Sequence, residues 1–373
     1  MYKTIKTMLI GAICLACAVI AGCQKPVFFP AASMPQAAQA VGSQQAFDVN
    51  GDGKADYYLF VDASGRVNRV GYDRTTNKST TTIPIEMVDL DAIAFSQSRH
   101  LVIILDGFGY DVVKKFYDDG HLRVCYPPSR VIAPFPTLTD LCIEDALGYV
   151  RCSGFEALYY DAAKNALVGG NDAYMRGDNE PYNRLLQYRA NTIWDAIGYL
   201  YPWQVYGKEI NDSMRVFNEN KTREMLAYYV SSAGVSTAEG AAGQVRCLEK
   251  VEQLVNQAVW QTQGKVKVTI LSDHGHSYTP GKRIELEKFL ADKGWRLADK
   301  LDKPKDVVYV RFGLVTYASF ATRQPDTLAA DLAKADGVEL ASYAQCDAVA
   351  VLSKDGQATI RRKGERYKYE PSA

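Results

Sequence analysis

Two short apolar runs in this chain each end on an acidic residue. His100-Leu101-Val102-Ile103-Ile104-Leu105 runs into Asp106-Gly107, and Val266 to Leu271 runs into Ser272-Asp273-His274. Continuous apolar runs bounded by polar residues predict strands covered on both faces. Leu226 to Val230 predicts another. Between it and the Asp273 strand, Val245, Leu248, Val251, Val255 and Val259 recur at helical spacing over Gln244 to Trp260. Strand, helix, strand in that order predicts an α/β fold with a mainly parallel central sheet and helices on both faces. Upstream, Tyr57 to Val61 and Arg66 to Tyr72 are β-rich and joined by Asp62-Ala63-Ser64-Gly65, the pattern of a hairpin. Downstream, Val307 to Phe312, Leu314 to Ala321 and Cys346 to Leu352 predict strands and Asp326 to Lys334 a helix.

Between the first two named strands, Pro134 and Pro136 hold the chain extended. A helical pattern then begins, with Leu141, Ala146 and Leu147 apolar and Asp140, Glu144 and Asp145 acidic. Thr139 falls at its N-cap, a position that favours Thr. The stretch 155–222 is the least regular. It carries Tyr159, Tyr160, Tyr174, Tyr182, Tyr188, Trp194, Tyr199, Tyr201, Trp203 and Tyr206. These rings either pack a helix over Asn191 to Leu200 on the sheet or stack on a substrate.

The first residues change the picture of where the chain works. Two lysines precede an uninterrupted small and apolar run from Met8 to Ala21, and Gly22-Cys23 follows. This is the order of an export signal, too short to span a membrane. Cys23 after Ala-Gly resembles the bacterial lipobox, which implies cleavage before Cys23 and its acylation. The implied place is the bacterial cell envelope, anchored through lipid, on the outer membrane in a Gram-negative host. Residues 1–22 are then a lipoprotein signal and 23–46, with Pro26, Pro30 and Pro35 among Ala, Gln and Ser, a flexible tether.

Charge excludes one class of partner. Lys+Arg and Asp+Glu are each 43, so the formal charge is zero, and loss of Lys3 and Lys6 with the signal makes it minus two. With no basic stripe, no duplex nucleic acid binding is expected. Cys125, Cys142 and Cys152 lie near Thr139 in sequence, where an exported protein could bridge two of them.

Asp48, Asn50, Asp52, Lys54 and Asp56 occupy loop positions of calcium-ligand spacing, with Gly53 at the sharp turn. Position 12 is Leu59 rather than Glu, and a hairpin follows instead of a helix. The loop resembles FG-GAP or dockerin-type calcium loops. Residues 47–76 are expected as a calcium-loop β-hairpin annex to an α/β domain at 98–373, with 155–222 as its insertion or cap.

The chemistry lies where the strands end. Open α/β sheets bind ligands at the carboxyl ends of their strands. Asp106, Asp273 and His274 there read as ligands of one divalent cation, and an Asp/His set suits zinc or manganese. A hydroxyl beside a cation and a helix N-terminus, as at Thr139, is suited to nucleophilic attack.

LDGFG around Asp106, PFPTLT around Thr139 and SDHGH around Asp273-His274 resemble the alkaline phosphatase superfamily, in particular its type I phosphodiesterase/nucleotide pyrophosphatase branch. The resemblance covers roughly residues 98–360, with the motifs in the family's order. It implies an alkaline phosphatase-like fold and a phosphoric ester hydrolase, a phosphodiesterase or phosphatase. It also implies Thr139 as the nucleophile, bound with Asp106, Asp273 and His274 to one metal, and a phosphate-ester small molecule or envelope component as substrate. Thr137 is the weaker candidate, because the second Thr of the family pattern attacks.

The second metal of that family is not matched. Ser231 stands where its Asp would be and Val235 where its His would be, and no histidine follows His276. Only Glu239 or His276 remains as a replacement. The single-ion members, the lipoteichoic acid synthase-like and phosphoethanolamine transferase-like branches, resemble this reduced set. Such an enzyme needs a leaving-group cation from Lys or Arg between 160 and 220. The alternative is a catalytically degenerate relative, a surface binding or assembly lipoprotein. There is no P-loop signature, Asp106-Gly107-Phe108-Gly109 lacks the third glycine of a dinucleotide fingerprint, and His274-Gly275-His276 lies too late in the chain for an amidohydrolase pair.

Overall fold

The computed structural model describes residues 29–30, 44–49, 53–73, 85–148, 158–170, 181–220, 222–279, 281–311 and 316–372. Cys23, Asn50 and Asp52 lie outside the described residues, as does Tyr174. The chain divides into two units. The first takes the described residues up to 148 and from 181 to 278, and the second takes 158–170 and those beyond 278.

The first unit opens with an antiparallel five-stranded sheet of β1 (Phe29–Pro30), β2 (Gln44–Asp48), β3 (Tyr57–Val61), β4 (Val67–Asp73) and β5 (Ile85–Asp89). The expected hairpin is β3–β4. It is the middle of a larger sheet, because β2 and β5 pair on its two edges and leave neither of its strands exposed. Tyr57, Leu59, Val67, Val70 and Tyr72 enter one hydrophobic core with Phe116, Leu248 and Val259. Tyr72 Oη donates to the Val259 carbonyl at 3.0 Å.

The site-bearing sheet begins at β6 (Arg99–Leu105), where Leu101 to Leu105 are all buried. Ile103 and Ile104 are fully covered, each contributing about 1.5–3 kcal/mol by burial. Helix α1 (Tyr110–Asp118) follows, then α2 (Thr139–Leu147). Strands β7 (Leu158–Asp161) and β8 (Ala166–Gly169) form a hairpin of the second unit. The chain re-enters the first unit with β9 (Tyr188–Arg189), α3 (Thr192–Gly198), α4 (Pro202–Glu219), β10 (Glu224–Tyr229), α5 (Ser231–Gln261) and β11 (Val266–Ser272). Of the stretch 155–222, the described residues 158–170 thus belong to the second unit and 181–220 and 222 to the first.

The sheet order is β11-β6-β10-β9, with every pair parallel. Helices cover both faces, as the alternation predicts. Leu101, Ile103 and Leu105 pack with α1, α4 and α5 on one side, and Val102 and Ile104 with Ile143 of α2 and Tyr182 on the other. Tyr182, Tyr188 and Tyr206 are core residues, so these aromatics of 155–222 pack. α5 starts at Ser231 and breaks at Gly240, whose φ of 62° and ψ of −147° are costly for any other residue.

The C-terminal strands do not extend the parallel sheet. After α6 (Leu286–Asp292), β12 (Arg296–Leu297), β13 (Asp306–Val310) and β14 (Ser319–Thr322) form a mixed three-stranded sheet. After α7 (Pro325–Leu332), β15 (Ala341–Gln345), β16 (Ala348–Ser353), β17 (Gly356–Lys363) and β18 (Arg366–Pro371) form an antiparallel meander. Their two-residue turns are the reason, since a parallel partner needs a crossover of a dozen residues or more. Leu290, Trp295, Val307, Leu328 and Leu332 make the core of this unit. No helix among the described residues is long and apolar enough to cross a membrane.

Candidate metal centre

Register places the acids. β6 and β11 are neighbours with Leu105 opposite Ser272, so the residue after each, Asp106 and Asp273, leaves the sheet at one edge. Both carboxyl groups are buried. His274 follows on the same turn. One ligand atom from each of Asp106, Asp273 and His274 lies within 4.8 Å of the other two.

The backbone of both turns is held. Asp106 N–H donates to Ser232 Oγ at 2.9 Å, and Gly107 N–H to Asp273 Oδ1 at 3.0 Å. Phe108 N–H donates to Ser272 Oγ at 2.8 Å, and that hydroxyl donates to the His274 carbonyl at 2.6 Å. The Gln244 side-chain amide donates to the Gly107 carbonyl at 2.6 Å. Gly107 has a φ of +77°, where a side chain would be strained.

The side chains converge on one point. His274 Nδ1 lies 2.9 Å from the Gly275 carbonyl, an acceptor, so this nitrogen carries the proton. Nε2 then offers its lone pair, 3.5 Å from Asp273 Oδ2 and 3.8 Å from Asp106 Oδ1. Two donors bound to one zinc at about 2.0–2.2 Å can be at most about 4.4 Å apart, and both separations fit. Tyr228 Oη donates to Asp106 Oδ2 at 2.8 Å and orients that carboxylate. Asp273 Oδ2 is buried and accepts no hydrogen bond among the described residues.

Electrostatics point the same way. Burial, and then Asp273, push Asp106 well above the usual carboxylate range, against the Tyr228 hydroxyl and Arg189. Burial also raises Asp273, opposed first by His274. Two buried acids that repel each other across a gap with an open imidazole lone pair suit a divalent cation. The group could hold one metal ion.

Thr139 joins this group. It is the first residue of α2, with Leu138 at the N-cap rather than Thr139 itself. Its Oγ1 is 3.3 Å from His274 Nε2. Thr137 is exposed and donates to the Pro134 carbonyl at 3.1 Å, so it does not join. Arg189, from the expected 160–220 stretch, is the basic residue that acts on Asp106. It pairs with Asp195 at 3.2 Å.

The other sequence candidates fall elsewhere. Ser231 donates to Glu209. Gly234 has a packing reason, because a Cβ there would meet the Gly198 carbonyl at 2.4 Å. Glu239 accepts from Trp203 Nε1 at 2.8 Å and pairs with Arg246. His276 Nε2 meets Thr237 Oγ1 at 3.3 Å. Among the described residues no second metal-holding group forms. At the proposed calcium loop, Asp48 Oδ2 accepts from Gly53 N–H at 2.6 Å and Asp56 Oδ2 from Val49 N–H at 2.9 Å, while Lys54 forms an isolated bridge. Cys125 and Cys142 are free thiols, so they do not bridge each other.

Sequence reading missed Tyr228, Ser232, Gln244 and Ser272 around the acids, and Glu209. Only Tyr228 carried a signal, as a phenol on a buried strand whose hydroxyl needs a partner. Comparison with known protein families, curated proteins and solved structures gives no match for this chain.

Proposed function

We propose that the chain is a metal-dependent phosphoric ester hydrolase of alkaline phosphatase-like fold, with Thr139 as its nucleophile. The observation that carries this reading is the meeting of Thr139 Oγ1 with His274 Nε2 beside Asp106 and Asp273. Asp106, Asp273, His274 and the Thr139 hydroxyl would hold one zinc or manganese ion. That ion would supply positive charge beside the hydroxyl and the phosphoryl oxygens. The chain's own part starts at the first turn of α2, whose positive end favours an alkoxide and the phosphate it meets. Thr139 Oγ1 forms the bond to phosphorus as the ester oxygen leaves with the substrate alcohol. Water then cleaves the phosphothreonine and regenerates the hydroxyl. Tyr228 holds Asp106 and the Gly275 carbonyl holds His274 throughout.

The envelope location, with Cys23 acylated, and calcium at the Asp48–Asp56 loop belong to the same proposal. The test is hydrolysis of nitrophenyl phosphate mono- and diesters by the purified protein with zinc or manganese, alongside elemental analysis. Turnover in wild type, with Thr139→Ala inactive, is the expected result. Equal rates would remove Thr139 as nucleophile. Bound metal without turnover in either protein would leave the binding lipoprotein.

A further inference from the structure

The outer face of the C-terminal meander is apolar and exposed. Ala341, Tyr343 and Leu352 of β15 and β16 face the core of the second unit. Residues paired across an antiparallel ladder share a face, and neighbours along a strand alternate. Val349, Ile360 and Tyr369 pair in one row and Arg362 pairs with Tyr367, so these five stand on the other face. Tyr367 is 73% exposed, Tyr369 65% and Val349 41%. β18 pairs on one side only, with β17.

Positive charge collects on the same hairpin. The whole chain is formally neutral, yet five of the eight residues from Arg361 to Lys368 are basic and one is acidic. Arg361 pairs with Asp347, and Lys368 with Glu370. Arg362, Lys363 and Arg366 have no ion pair among the described residues. By the same alternation Arg361, Lys363, Arg366 and Lys368 stand opposite the tyrosines. The β17–β18 hairpin is therefore an amphipathic ribbon, with rings and aliphatic side chains on one face and long cationic ones on the other and at the tip.

These features select a lipid surface. A second copy of the face would set like charges against each other. A single-stranded nucleic acid needs its cations on the face that carries the rings, and only Arg362 is there. A bilayer interface takes both faces at once. Aromatic rings rest at headgroup level, and lysine and arginine stems reach sideways into the headgroups. The cations favour an anionic surface, whose field reaches them within a Debye length of about 8–10 Å.

We propose that the β17–β18 hairpin docks on an anionic bilayer, with Tyr367 and Tyr369 at the headgroup boundary and Arg362, Lys363 and Arg366 on the headgroups. This needs neither the hydrolase reading nor an acylated Cys23.

Tyr369→Trp in the full chain tests it, with the added fluorescence taken as the difference from wild type. Phosphatidylglycerol vesicles with brominated acyl chains should quench that fluorescence, and brominated phosphatidylcholine vesicles should not. An acyl anchor would hold the chain to both lipids, so the contrast belongs to the hairpin. Lys363→Gln and Arg366→Gln should each raise the phosphatidylglycerol needed for half quenching roughly fivefold, the worth of one cation near a charged surface. Leu297→Trp, exposed on β12 of the same unit, should stay unquenched. The proposal is overturned by an unquenched Tyr369→Trp, by equal quenching in phosphatidylcholine or by equal quenching of Leu297→Trp. Undiminished quenching in both neutralised variants overturns it too. A blue shift on concentrating the protein without vesicles would assign the face to a second copy, and so overturn it as well.

Discussion

Replacing Glu209 by Gln should change how stability depends on pH. Burial is the main reason that the Glu209 carboxyl is pushed up to about 8 from its ordinary 4.5, against the opposing Ser231 hydroxyl. The unfolded chain gives up this proton near 4.5, whereas the folded chain keeps it until about 8. Between those values the folded state binds more protons, so stability falls as pH rises. The contribution is fully present below the unfolded value and is lost as pH passes through the folded one. At about 1.4 kcal/mol per pKa unit, wild type loses on the order of 4 kcal/mol between about pH 5 and pH 9. Gln keeps an oxygen for Ser231 and has no proton to lose. Urea unfolding curves across this range, in amine-free buffer, measure both proteins. Tyr188, Tyr206, Tyr229 and Cys247 feel the Glu209 charge, but burial raises all four above their ordinary values. They stay protonated in the folded protein through this range, so the difference between the two curves follows Glu209 with its neighbour Asp195. A gap between wild type and Glu209→Gln that stays within about 1 kcal/mol across the range would refute the reasoning.

Three further outcomes are expected. Tyr228→Phe removes the hydroxyl on Asp106 Oδ2 and should weaken zinc binding by about ten- to hundredfold in competition with a chromophoric chelator; unchanged affinity would deny that Tyr228 orients the ligand. Gly234→Ala forces a Cβ to 2.4 Å from the Gly198 carbonyl and should cost about 1–3 kcal/mol or more in urea unfolding, so a neutral result would count against the α3–α5 contact. Calcium should raise the melting temperature of wild type and leave that of Asp52→Ala where it was; equal shifts in both would discard the calcium loop.

Much of the sheet was legible because its physics is local. Leu101 to Leu105 are a buried run ended by Asp106, and the apolar stripe of Gln244 to Trp260 is one face of α5. Val266 to Leu271 was legible as a strand but not as an edge strand: only Val266 is buried, because β11 has a neighbour on one side alone and carries Lys267 and Thr269. The C-terminal strands were legible as strands but not as a separate antiparallel set, since strand propensity carries no partner. Ser231 and Val235 could be read as poor metal ligands. That Ser231 instead bonds Glu209, 22 residues earlier on α4, could not be read from either residue.

By itself, the sequence determined which side chains stand at the ends of β6 and β11, because strand-forming runs and the polar residues that end them are written in consecutive residues. The tertiary structure decided that Asp106 and Asp273 are neighbours, because sheet order and the Leu105–Ser272 register set that distance. It also decided that Thr139 rather than Thr137 reaches His274, because the turn before α2 aims one hydroxyl inward and leaves the other exposed. Pairings across 135 or more residues depend on packing of the whole unit, and no local pattern encodes them.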